Sequence, residues 1–346
     1  MKLIVKKLFL FVLCGVFVYS AAACGAVKPN KQSSSSAEES FAPNEVSDEE
    51  SFYQSKPIES ESSAESEEQS GVEKDDDTFR CGDFGYILAE GVAQLCAYYG
   101  EETELDVPQE LDGYTVTAVN QSAFGKNDTL TQINVGNSVV NIAEYAFSGC
   151  SALKKVNIGN GVAVVHANSF DNCPSLEEIE VTAANSSYTS VEGVLYTDDK
   201  SRLVRCPQGF KAEEFSVPAD TSLVGNGAFR KCGGIQAVVL PAECALSANA
   251  FFHCDNMQSF SFEGTVTDIP DYCFFGCVLL EEIALPNGVE ALGEYAFFGC
   301  VGLREISIPA TVTAIAQTAF ECCTGIEEAS VAGDCATQWY KDYQQQ

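Results

Sequence analysis

The chain has 346 residues, a formal net charge of −31, 16 cysteines, two histidines and one tryptophan. With 50 acidic against 19 basic residues, it lacks the clustered positive charge that a phosphate backbone requires, which excludes nucleic-acid binding. His166 and His253 cannot build a histidine-rich metal site and leave little proton-transfer capacity near neutral pH, while an apolar content of 46% allows a sizeable core.

Lys2, Lys6 and Lys7 precede an apolar run from Leu8 to Tyr19, and the small residues Ser20, Ala21, Ala22 and Ala23 lead to Cys24. The run is too short to span a bilayer comfortably, so residues 1–23 read as a cleaved signal peptide rather than an anchor helix. Ala21-Ala22-Ala23-Cys24 is similar to a bacterial lipobox, with Ala21 where Leu is usual; Leu13 before Cys14 is too large for that cleavage. The resemblance implies a lipid on the Cys24 sulfur, and ordinary cleavage after Ala23 is the alternative. Either way, the expected location is extracytoplasmic, lipid-anchored in the first case and exposed at the cell surface.

Residues 25–78 hold 13 serines and 15 acidic residues against 4 lysines. Such a segment buries too little apolar surface to offset its chain entropy and is expected to stay disordered. Its expected end-to-end distance is roughly 40 Å, which suits a tether following Cys24 (residues 24–78) or, alternatively, a docking tail for a basic partner.

The remainder is periodic. Phenylalanines recur at Phe124, Phe147, Phe170, Phe229, Phe251, Phe274, Phe297 and Phe320, at intervals of 22 or 23 residues apart from one gap of 59. Three residues after each stands Asn127, Cys150, Cys173, Cys232, Cys254, Cys277, Cys300 or Cys323, and an aliphatic or Met follows three further on. A fixed period of this length predicts a solenoid whose units are too small to fold alone. The L-x-x-I-x-I pattern, as in Leu303, Ile306 and Ile308, resembles a leucine-rich repeat. The unit from Ala296 to Pro309 resembles the BspA-like subfamily of bacterial surface proteins. The resemblance covers about residues 79–346. It implies a β-rich leucine-rich-repeat solenoid of about eight 22–23-residue rungs, with an N-terminal β-hairpin cap around Glu90-Gly91 and one hairpin insertion around Val191 to Tyr196. Expected boundaries are 79–123 for the cap and lead-in, 124–333 for the solenoid with its insertion at about 182–217, and 334–346 for a C-terminal cap carrying Trp339.

The cysteine column is a structural ladder of small, buried residues. Free thiols are expected there, and disulfides between rungs about 4.8 Å apart are the alternative. Cys273-x-x-x-Cys277 and Cys322-Cys323 each contain one ladder cysteine, so neither is an independent metal or redox motif. No P-loop, nucleophile elbow or zinc-protease helix is present; hence no catalytic, cofactor-binding or metal residues are assigned and the chain is not expected to be an enzyme. Two columns remain as partner-binding candidates. One is the outward side of the long strands, with Glu178, Glu180, Glu282, Glu305 and Glu328; its plain alternative is a solvated face. The other directly follows the buried phenylalanines, where Gly125, Ser148, Asp171, Arg230 and Glu321 alternate with Phe252, Phe275 and Phe298. Three successive rings predict an exposed aromatic strip, unless they fold into the corner against Tyr272 and Tyr295. The expected function is recognition of an extracellular protein or glycan, which the family resemblance casts as adhesion to host or neighbouring cells. The alternative is an envelope-structural lipoprotein without a specific external ligand.

Overall fold

The computed structural model describes residues 78–344; the expectations for the signal peptide, Cys24 and nearly all of the tether lie outside the described residues. The structure is a β-solenoid. Each full turn comprises a long strand, a turn rich in Gly, Pro or Asn, a two-residue strand, and a tight corner carrying the small-residue–Phe pair. Long strands such as Gln132–Val135 and Lys155–Ile158 alternate half-buried and buried residues, the period of a sheet with one face in the core. The buried positions form a continuous ladder: Ile133 pairs with Val156, and Val156 with Ile179.

The core phenylalanines stack rung upon rung. Phe124, Phe147 and Phe170 lie 5.2 and 5.4 Å apart with planes within 14°. Phe229, Phe251, Phe274, Phe297 and Phe320 form a second stack at 4.9–5.4 Å. Both stacks are closed at their outer ends, by Tyr98 on Phe124 and by Trp339 on Phe320. Trp339 belongs to the C-terminal helix α1 (Asp334–Tyr343), which covers the apolar surface that an open solenoid end exposes. At the other end, Phe84–Ala89 and Val92–Tyr98 form the hairpin turning at Glu90-Gly91, and the second strand continues in parallel into Tyr114–Val119.

Ten strands line the long face, against about eight expected rungs. Glu104–Asp106 adds one ahead of the first repeat, and Ala212–Ser216 adds another inside the 59-residue gap. That gap therefore contains a complete rung. The Cys206 amide donates to Ala228 O as the Phe amides do elsewhere, and Cys232 Sγ donates to Cys206 O. Cys206 thus stands in the phenylalanine column and Gly209 in the cysteine column, which hid this rung from the periodicity. The hairpin proper, Tyr188–Val191 with Val194–Thr197, lies ahead of it. Its turn supplies Gly193 O to the Ile179 amide, and Ser190 Oγ accepts from the Val181 amide. These contacts end the first long sheet of four strands; a second of six begins at Ala212–Ser216.

The core divides at the same hairpin, whose Leu195 joins the block that runs up to Ile179 while Val194 and Tyr196 join the block that follows. Spanning the division is a buried ionic cluster. Asp171 Oδ1 lies 3.3 Å from Arg205 Nη2 and Oδ2 lies 3.4 Å from Arg230 Nε, while Arg205 Nη1 donates to Gly227 O. The Arg205 side chain is 1% exposed.

The seven ladder cysteines are free thiols. The ladder thiols bond the backbone of the preceding rung: Cys150 Sγ donates to Phe124 O, Cys173 to Phe147 O, Cys254 to Phe229 O, Cys277 to Phe251 O, Cys300 to Phe274 O and Cys323 to Phe297 O. Asn127, in the first rung, works the other way. Its Oδ1 accepts from the Thr129 and Leu130 amides at 3.0 and 2.8 Å, capping the turn as an Asx residue does.

Candidate interaction surfaces

The five glutamates of the long-strand face do not form one continuous surface. Glu178 pairs with Lys155 at 2.7 Å, and Glu180 accepts from Ser190 Oγ at 3.0 Å. A chain of polar contacts continues nearby from Asn157 through Asn134 to Asp106. The first sheet therefore satisfies its own polar groups. In the second sheet, Glu282, Glu305 and Glu328 stand in direct register on adjacent strands. Among the described residues none of the three has an ion-pair partner. Like charges opposed in a sheet are unfavourable, and their exposure to solvent screens the repulsion. Beside them, Ser259, Ser261, Ser307 and Ser330 border a trench of about 670 Å³.

On the corner face, Phe252, Phe275 and Phe298 are half-buried, so each ring keeps part of its surface in solvent. They are stacked: Phe252–Phe275 at 4.8 Å and 7°, Phe275–Phe298 at 4.7 Å and 10°. The register comes from the corner backbone, where the His253 amide donates to Phe275 O and the Gly276 amide to Phe298 O. A Cβ on Gly276 would sit 2.7 Å from His253 Nδ1, so the glycine makes room for the imidazole beside Phe275. Tyr272 and Tyr295 form a second stacked pair at 5.1 Å and touch Phe275 and Phe298 respectively. Exposure of the phenylalanines and contact with the tyrosines thus coexist. Burial pushes the Tyr272 phenol above its usual value, helped by Tyr295, Glu294 and Asp271, so the hydroxyl stays protonated.

Two features of this face escaped the sequence. Arg230 lays its guanidinium 4.3 Å over the Phe252 ring, closing one end of the strip, and it simultaneously pairs with Asp171. The register of the column carried a signal for the first contact, since Arg230 directly precedes Phe252 in it. The second was invisible because the intervening rung was not recognised. His253 pairs with Asp255 at 3.1 Å and His166 lies 3.9 Å from Glu144, all exposed. Among the described residues no group of three His, Cys, Asp or Glu side chains is arranged to hold a metal ion.

Parallel in-register rungs, a phenylalanine stack and a repeated L-x-x-I-x-I strand define a leucine-rich-repeat solenoid. The profile of the BspA type leucine-rich repeat region matches residues 110–197 and 206–327 in six copies. The chain belongs to that family. Similar solved structures include a leucine rich cell surface protein from Faecalibacterium prausnitzii (20% identity, covering 79% of this chain and 97% of that one, TM-score 0.49). Others are the pneumococcal vaccine antigen PcpA (16%, 73% and 86%, 0.49) and a leucine-rich repeat protein from Bacteroides ovatus (20%, 72% and 70%, 0.48). No curated protein matches the chain.

Proposed function

We propose that this chain is a surface lipoprotein that presents its solenoid for recognition of an extracellular ligand, in the manner of an adhesin. The observation that carries this reading is the aromatic strip. The corner column holding Phe252, Phe275 and Phe298 is filled elsewhere by Gly125, Ser148, Asp171, Arg230 and Glu321, so the fold does not need aromatic rings there. A protein that leaves three of them in succession partly in solvent has kept apolar surface where solubility favours polar residues. Family membership supports a binding scaffold over an enzyme, and the lipobox-like Cys24 followed by a Ser- and Glu-rich segment supports display from a membrane.

The test uses the full chain and a variant with Phe252, Phe275 and Phe298 changed to serine, both confirmed as folded by circular dichroism. Each is immobilised and probed with extracellular-matrix proteins, mucins and glycans. Capture by the wild type and not by the variant supports recognition through the strip. Equal capture by both moves the contact to the Glu282, Glu305 and Glu328 face, and no capture by either refutes the adhesin reading in favour of an envelope-structural role. Lipid attachment is tested separately in cells fed labelled palmitate: Cys24→Ser abolishes incorporation if Cys24 is the anchor.

A further inference from the structure

The geometry of the corner rings selects among ligand chemistries. Resting on the reading that the strip is a contact surface, we propose that Phe252, Phe275 and Phe298, with Tyr272 and Tyr295, dock an apolar protein segment flanked by Lys or Arg residues rather than a glycan.

The first argument is which part of each ring is free. A sugar ring packs its C–H groups against an aromatic face, where the quadrupole is negative. Here all but one of the faces are taken. Phe275 lies between Phe252 and Phe298, each within 4.8 Å and 10°. The outer face of Phe252 is covered by the Arg230 guanidinium, while Tyr295, in the same rung as Phe298, stands beside that ring at 65° and leaves its outer face turned toward the rung of Glu321. With both faces of Phe252 and Phe275 covered, the strip offers ring edges along most of its length and a single ring face at its Phe298 end, which suits aliphatic side chains better than a row of sugar rings.

The second argument is charge. Asp255, Asp271, Glu294 and Glu321 are exposed and surround the rings. Asp271 and Glu294 immediately precede Tyr272 and Tyr295, Asp255 holds His253, and Glu321 continues the phenylalanine column one rung beyond Phe298. The cations at the strip's near end are already engaged, Arg230 with Asp171 and Phe252 and Lys231 with Asn172. An apolar ridge inside an acidic frame is complementary to a segment of the opposite character. The three rings together span about 10 Å, the reach of two turns of an amphipathic helix.

The experiment measures binding of a labelled amphipathic Leu/Lys peptide of about four helical turns to the full chain at physiological salt. The same peptide with Glu in place of Lys, oligolysine of equal charge and a neutral oligosaccharide are the comparisons. The expected result is that only the Leu/Lys peptide binds well. Phe275→Ser should weaken it at least about tenfold, the cost of one central aromatic anchor. The pair Glu294→Lys and Glu321→Lys, whose side chains are exposed and outside the packed rings, should weaken it comparably. Glu282→Gln, Glu305→Gln and Glu328→Gln together should change it less than about threefold, a rim-like effect. Oligolysine binding as tightly, the Leu/Glu peptide binding equally, or loss confined to the long-face variant overturns the proposal; so does an oligosaccharide that binds and is lost with Phe275→Ser. If the triple serine variant still captures every surface ligand of the wild type, the underlying reading fails as well. If that variant loses capture while the wild type ignores the Leu/Lys peptide, the partner chemistry alone is wrong.

Discussion

Burial holds the thiols of Cys206, Cys254, Cys273, Cys277 and Cys300 above the ordinary cysteine value of 9.0. In the unfolded chain those thiols regain water and ionise near that value. Above pH 9 the unfolded state therefore holds fewer protons than the folded one, and stability that is complete below pH 9 is lost as the pH rises. Between pH 8 and pH 10 each thiol that stays protonated in the fold costs about 1.4 kcal/mol. Five of them cost about 7 kcal/mol on the same basis, a large part of what a domain of ordinary stability has. Urea unfolding followed by far-ultraviolet circular dichroism, in reductant at pH 8, 9 and 10, measures the loss. Cys273→Ala isolates one contribution, because Cys273 occupies a column filled by Ala228, Ala250, Ala296 and Ala319 in other rungs, so alanine fits there. The variant should lose about 1.4 kcal/mol less than wild type over the same pH interval. An identical pH dependence in the two proteins, or no loss in the wild type, refutes the reasoning.

Asp171→Asn leaves the Arg205 guanidinium buried without its counter-charge and should cost about 3–5 kcal/mol in urea unfolding; because the cluster joins the two core blocks, the single transition should also split into two. Phe274→Ala removes a fully buried ring stacked between Phe251 and Phe297 and should cost about 3–5 kcal/mol. Phe275→Ala, one residue on and only partly buried, should cost less than half of that in the same melts. Asn127→Ala deprives the Thr129 and Leu130 amides of their acceptor and should lower stability by about 1 kcal/mol, measurable as a shift of the urea midpoint at constant slope.

The solenoid was legible in the sequence because its two most constrained columns repeat. A phenylalanine that must stack at about 5 Å on its neighbours, and a small donor that must reach the preceding carbonyl, leave little choice of residue. The rung that departs from both rules was not legible. Cys206 and Gly209 meet the backbone pattern without the side chains that mark it, so the gap between Phe170 and Phe229 resembled a single long insertion. The ionic cluster was lost with it, since Asp171 and Arg230 meet only once Arg205 is known to come between them. The candidate surfaces divided similarly. The three aromatic residues follow from column arithmetic, and their stacking follows from the spacing of rungs. The contrast between Glu178 and Glu180, which are partnered, and Glu282, Glu305 and Glu328, which have no ion-pair partner among the described residues, depends on a hairpin that caps one sheet and starts another, a tertiary event that no local pattern announces.

The stacking of one ring per rung makes the length of the aromatic strip a whole number. The segments Ala250 to Cys254, Cys273 to Cys277 and Ala296 to Cys300 are near-copies, each contributing one ring at a fixed advance along the axis. Recombination that duplicated one unit in frame would lengthen the strip by a single step of about 4.8 Å and leave every other contact in register, while loss of a unit would shorten it by the same step. Reach and anchor number at this surface can therefore change by counting units, with no residue of the core having to adapt.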